Sequence, residues 1–112
     1  MITDGYLESQ KNKFAALQLE QYVDRAVFTD AAGREAWKPS RWGYQQLMEH
    51  FSLQGVQCAY VGDNSQKDFA GAQALGWITC KIVRDEGLYR DTTGAVDYNV
   101  RTLMELKEII YK

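Results

Sequence analysis

Asp63 and Asp68 stand in Gly62-Asp63-Asn64-Ser65-Gln66-Lys67-Asp68, directly after the apolar run Cys58-Ala59-Tyr60-Val61. A short apolar run next to glycine has the signature of a buried strand. Asp63 would leave that strand at its carboxyl end. Asp68 would return to the same mouth from the first turn of the helix that follows. Two converging carboxylates with an amide make an all-oxygen site, which suits a hard ion such as magnesium. The plainer alternative is that Asp63 ends the strand and Asp68 caps the helix, complementing its dipole.

Two further residues could act on a phosphoryl group. Lys38 precedes Pro39, the only proline, which suits the first turn of a helix. A lysine held there beside a carboxylate pair can neutralise charge on a transferring phosphoryl. Its alternative is an ordinary surface lysine. Thr3, in Ile2-Thr3-Asp4-Gly5, offers a hydroxyl before a turn that can bond a phosphate oxygen. Its alternative is a loose end of the chain. The single histidine, His50, stands next to Phe51 near the end of a helical pattern and reads as structural rather than catalytic. Cys58 and Cys80 form no C-x-x-C pair and stand in no histidine cluster. That speaks against zinc or a disulfide framework and for a cytoplasmic protein.

The elements that must position these residues alternate along the chain. Residues 7–19 have helical periodicity, and Ala26-Val27-Phe28-Thr29 reads as a strand. Residues 41–51 repeat Tyr44, Leu47, Met48 and Phe51 at helical spacing. The Cys58–Val61 strand is followed by a small-residue helix from Lys67 to Leu75, stopped by Gly76. Ile78 to Val83 is a strand, and Asp97-Tyr98-Asn99-Val100 is extended. Thr102-Leu103-Met104-Glu105 then opens a last helix with a capping box. Its buried face is expected to carry Leu103, Leu106, Ile109 and Ile110. Such alternation predicts an α/β fold, a parallel sheet with helices on both faces and ligands at the carboxyl ends of the strands.

The chain has 112 residues, 46% hydrophobic and 25% charged, with a net charge of -2. This length allows one domain and one core. With no block of like charge, it does not read as a partner of nucleic acid or of an anionic membrane. No apolar run is long enough for a membrane span, and the first residues do not read as a signal peptide.

In this order and spacing, Ile2-Thr3-Asp4-Gly5, Trp37-Lys38-Pro39-Ser40 and Tyr60 to Phe69 resemble the second, third and fourth motifs of the haloacid dehalogenase-like (HAD) hydrolase superfamily. Ala70-Gly71-Ala72-Gln73-Ala74-Leu75-Gly76-Trp77 is similar to the helix that follows the fourth motif. The resemblance spans residues 2–112 and implies a three-layer, Rossmann-like parallel sheet. It also implies magnesium-dependent phosphomonoester hydrolysis. Thr3 would bind the phosphoryl, Lys38 would offset its charge, and Asp63 with Asp68 would hold the metal. Other members are dehalogenases or phosphomutases, and the acidic loop favours a phosphatase. The substrate implied is a small phosphorylated metabolite. Residues 33–39 and Arg84-Asp85-Glu86-Gly87-Leu88-Tyr89 look like members found with polysaccharide or sugar-phosphate pathways.

The resemblance breaks at the first motif, a D-x-D on the central strand that supplies the nucleophile. Only Met1 and Ile2 precede Thr3, and no D-x-D occurs in the 112 residues. Without it there is no aspartyl-phosphate, and one principal metal carboxylate is missing. This predicts an inactive core with weak magnesium binding, completed by an N-terminal segment. The alternative is a non-catalytic binding or interaction domain on the same scaffold. The bare edge of the Cys58–Val61 strand is expected to make the isolated chain a dimer or larger homo-oligomer through strand pairing or exchange of elements. A folded monomer would have to close the gap by pairing the 26–29 or 1–3 region with that strand.

Overall fold

In the computed structural model, residues 1–83 and 96–110 are described. The Arg84–Tyr89 stretch of the sequence reading lies outside them. The order is β1 (Ile2–Thr3), α1 (Leu7–Ala16), β2 (Val27–Phe28), α2 (Trp42–Phe51), β3 (Ala59–Gly62), α3 (Ala70–Ala74), β4 (Ile78–Ile82), β5 (Tyr98–Val100) and α4 (Leu103–Ile110). Every strand pair is parallel. The expected α/β architecture is present.

The sheet is not continuous. β1 pairs with β2, with Ile2 opposite Val27, and β3, β4 and β5 pair in that order. No ladder joins β1 or β2 to β3, so the closure that a folded monomer would need is not made. The helices account for this. Gly43 of α2 lies so close to β1 and β2 that a Cβ there would approach Ile2 at 3.0 Å and Thr29 at 3.3 Å. A Cβ on Gly71 of α3 would meet the Tyr44 ring at 2.7 Å. The two glycines let α2 dock on one sheet and α3 dock on α2. The sheets are therefore joined by helix packing and side-chain contacts rather than by a backbone ladder.

Two apolar clusters fill the layers. Ile2, Val27, Tyr44, Ala72 and Trp77 form one, with Cys58 and Tyr60 packed against it. Cys80, Val100 and Leu106 form the other, with Val61 and Ile82 against it. Tyr60 and Val61 are consecutive on β3, so the clusters lie on opposite faces of its sheet. Helices α2 and α3 thus cover one face and α4 the other.

Several boundaries differ from the sequence reading. α2 begins at Trp42, and Pro39 lies in the turn before it rather than in its first turn. α3 begins at Ala70, so Asp68 sits in the preceding turn and does not cap a helix. Strand β2 stops at Phe28, where Thr29 opens a short 3-10 turn. Helix α1 ends at Ala16, leaving Leu17 exposed. On α4, Leu106 is buried but Leu103 and Ile110 are exposed, because the helix has only the β5 side of a narrow sheet to cover. The capping box is half formed: Glu105 N–H donates to Thr102 Oγ1 at 3.2 Å. The Glu105 carboxylate accepts from Arg101 N–H, one residue before the expected partner.

Candidate active site

The carboxyl ends of β1 and β3 open on one mouth, where Lys38 and Asp68 meet. Lys38 Nζ lies 3.1 Å from Asp68 Oδ1 and donates to the Tyr60 hydroxyl at 3.0 Å. The two charged side chains are 11% and 6% exposed, so each depends on the other for compensation. Burial works to lower the Lys38 pKa. The adjacent Tyr60 hydroxyl and Asp68 carboxylate outweigh it and hold the ammonium above its usual value. Lys38 is therefore a fixed cation at the end of β3, with the chemistry needed to offset phosphoryl charge.

Asp68 is occupied on both sides. Its Oδ2 accepts from Asn64 N–H at 2.9 Å and Asp63 N–H at 3.2 Å. Its backbone carbonyl accepts the Tyr44 hydroxyl. This closes the loop back onto β3, and Gly62 is the residue that permits it: a Cβ there would lie 2.5 Å from Asp68 Oδ2. Ser65, in the same loop, accepts from the buried Lys81 ammonium at 2.7 Å. The loop that carries Asp63 is thereby tied at both ends. The Asp63 side chain is exposed and makes no hydrogen bond among the described residues.

Thr3 ends β1, and its hydroxyl donates to Gln10 Oε1 at 3.0 Å. No hydrogen bond among the described residues joins it to Lys38 or Asp68. The link runs through its neighbour Asp4, which the sequence reading passed over. Asp4 Oδ1 accepts from the Thr29 hydroxyl at 2.7 Å and Lys38 N–H at 3.2 Å, and Oδ2 pairs with Lys67 Nζ at 3.4 Å. Lys38 and Lys67 therefore span the mouth from one sheet to the other. Tyr44, Tyr60 and Lys67 were also missed as site residues. Lys67 carried a signal in its place beside Asp68, whereas Tyr60 looked like ordinary strand core.

The oxygen chemistry of this mouth suits magnesium, but the ligand count does not. Among the described residues, no three Asp, Glu, His or Cys side chains converge as a metal site. Asp68 would join Asp63 only by releasing Lys38 or the loop amides. Among the described residues, the mouth offers one open carboxylate, that of Asp63.

Residues 1–82 match the haloacid dehalogenase-like hydrolase family. The chain belongs to this family. A glyceraldehyde 3-phosphate phosphatase of Methanocaldococcus jannaschii is 30% identical over 112 residues, covering 98% of this chain and 47% of that protein. A HAD phosphatase from Thermococcus onnurineus superposes with a TM-score of 0.76 at 27% identity, over 92% of this chain and 46% of its own. A 2-haloacid dehalogenase from Pseudomonas syringae superposes with a TM-score of 0.73 at 20% identity, over 88% and 41%. The chain spans about half the length of these relatives. The HAD fold alone thus fits both phosphatases and dehalogenases, and the phosphatase likeness rests on sequence. Among the described residues, no helix is long and apolar enough to cross a membrane.

Proposed function

We propose that this HAD chain is a single core-domain piece of a cytoplasmic phosphomonoesterase for a small phosphorylated metabolite. Glyceraldehyde 3-phosphate, named in the Methanocaldococcus relative, is the first substrate to test. The observation that carries this reading is the buried Lys38–Asp68 pair, braced by Tyr60, at the carboxyl ends of the strands. Lys38 would hold charge against the phosphoryl oxygens. Thr3 would bond one of them after turning its hydroxyl from Gln10. Asp63 would offer its carboxylate to magnesium, which when bound would polarise a phosphoryl oxygen. Asp68 serves the site through Lys38 and the loop amides.

None of these residues is a nucleophile poised beside a base. On this reading the nucleophilic carboxylate and the remaining metal ligands would be supplied by another segment. The test is phosphate release from glyceraldehyde 3-phosphate with magnesium. The chain is assayed alone and with the N-terminal part of the Methanocaldococcus relative added in trans. The expected result is no release by the chain alone, release from the mixture, and loss of that release with Lys38→Met. Turnover by the chain alone that disappears with Asp63→Ala would overturn the reading, since a residue present here would then be the nucleophile.

A further inference from the structure

Lys38 and Lys67 stand at the same mouth but are held in different ways. The Lys38 side chain is 11% exposed, and its ammonium is fixed between Asp68 Oδ1 at 3.1 Å and the Tyr60 hydroxyl at 3.0 Å. Lys67 is 43% exposed, and its ammonium has one partner among the described residues, Asp4 Oδ2 at 3.4 Å. A long, partly exposed pair resting on one contact is weak and easily exchanged. Asp4 does not depend on it. The other oxygen of its carboxylate accepts from the Thr29 hydroxyl at 2.7 Å and from Lys38 N–H at 3.2 Å. The root of Lys67 is fixed by its own N–H, which donates to the Asn64 carbonyl at 3.2 Å. Its four-carbon stem is left to turn about that root. One mouth thus holds a fixed cation deep down and a movable one at the rim.

We propose that Lys67 determines specificity: it leaves Asp4 to pair with a second anionic group of the substrate, a carboxylate or another phosphate. The inference rests on the phosphatase reading for the seat of the first phosphoryl on Lys38. A phosphoryl seated on the deeper lysine leaves the rest of its molecule towards solvent, on the side where the more exposed Lys67 stands. An ammonium is a point charge with freely turning donors, so it selects for charge rather than for a planar outline. The substrate class is therefore a small phosphomonoester with a further negative charge, preferred over one whose other end is a neutral alcohol or aldehyde. The exposed Asp63 carboxylate on the same loop opposes an incoming anion, and salt screens the new pair. The preference is accordingly a modest one.

The test uses the intact chain and two probes that differ at one end. 3-Phosphoglycerate carries a carboxylate there, and glycerol 3-phosphate an alcohol. Dissociation constants are read from amide shifts in NMR titrations of the isotope-labelled chain at low and high salt. 3-Phosphoglycerate should bind about fivefold more tightly at low salt, with the ratio shrinking as salt is added. Lys67→Met should bring the ratio close to one, whereas Lys67→Arg, which keeps the charge, should retain most of it. Lys38→Met should weaken both probes together. Asp4→Asn should raise the ratio by about twofold, because the rim ammonium loses its resting partner while the amide oxygen still accepts from Thr29 and Lys38. Absence of 3-phosphoglycerate binding, equal binding of the two probes, or a preference that survives Lys67→Met would overturn the proposal. An unchanged ratio in Asp4→Asn would do so too, and the two Lys67 variants decide the matter if that chain does not fold. A carboxylate preference lost in Lys67→Met, with no phosphate release in the two-part assay, would keep the anion site and remove the phosphatase reading. Release that is equal for both esters and indifferent to Lys67→Met would keep the phosphatase reading and remove this one.

Discussion

Removing the Asp68 carboxylate would leave Lys38 buried against Tyr60 without its counter-charge, and would release the amides of Asp63 and Asn64. Breaking a buried pair in this way costs about 3–5 kcal/mol. Asp68→Ala should therefore shift the urea midpoint strongly, whereas Asp63→Ala, at an exposed position, should change stability by less than ~0.5 kcal/mol. Equal effects would mean that the loop does not depend on Asp68. The same cluster sets an alkaline limit. Because Lys38 titrates above its ordinary 10.5 in the fold, its contribution is complete below that value and is lost as pH rises through the higher folded one. Tyr44 and Tyr60 are raised from 10.0, chiefly by burial. Unfolded tyrosines therefore lose protons first, and stability falls in the same direction. Denaturation across pH should show little dependence on these groups between neutrality and the tyrosine range, then a decline that Tyr44→Phe reduces. The sequence shows Thr3, Lys38, Asp63 and Asp68 as candidates through their places after strands. It does not show that Asp68 is held by Lys38 and the loop amides, since those contacts depend on how the elements pack.

The β3 turn depends on one missing methyl group. With an alanine at position 62, the new Cβ would press on Asp68 Oδ2 from 2.5 Å, and the carboxylate would have to leave the loop amides. Gly62→Ala should cost about 1–3 kcal/mol, the usual range for overpacking. It should also weaken the Lys38–Asp68 pair, seen as a Lys38 side-chain amine shift in NMR that Asp63→Ala does not produce. An unshifted amine would show that the loop can relax without disturbing the pair. At this scale the sequence was a good guide to which elements exist and a weaker guide to where they stop. The 41–51 periodicity gives α2 because Tyr44 and Leu47 face the core. The start of α3 was placed too early, because Lys67 and Asp68 fit helical spacing while their side chains are drawn into the turn by Asp4 and Lys38. For α4, an apolar stripe was legible, but whether anything covers Leu103 and Ile110 depends on the width of the sheet.

Strand alternation gives the parallel α/β layout, and the missing D-x-D strand pointed to a bare β3 edge, but not to two separate sheets. Close docking of α2 and α3 at Gly43 and Gly71 accompanies that division. The division has a consequence for local stability. β4 has a ladder on each side, with β3 and β5, and its Cys80 and Lys81 are buried. β1 and β2 are two residues each, share a single ladder, and are tied to the rest by α2, Lys38 and the partly exposed Lys67. Local opening follows such differences in burial and bonding. Hydrogen exchange on the isolated chain should find the β4 amides slowest and those of β1 and β2 faster by roughly tenfold or more, about 1.4 kcal/mol of opening free energy. Uniform protection of both sheets would show instead that the packing between them couples them into one cooperative unit.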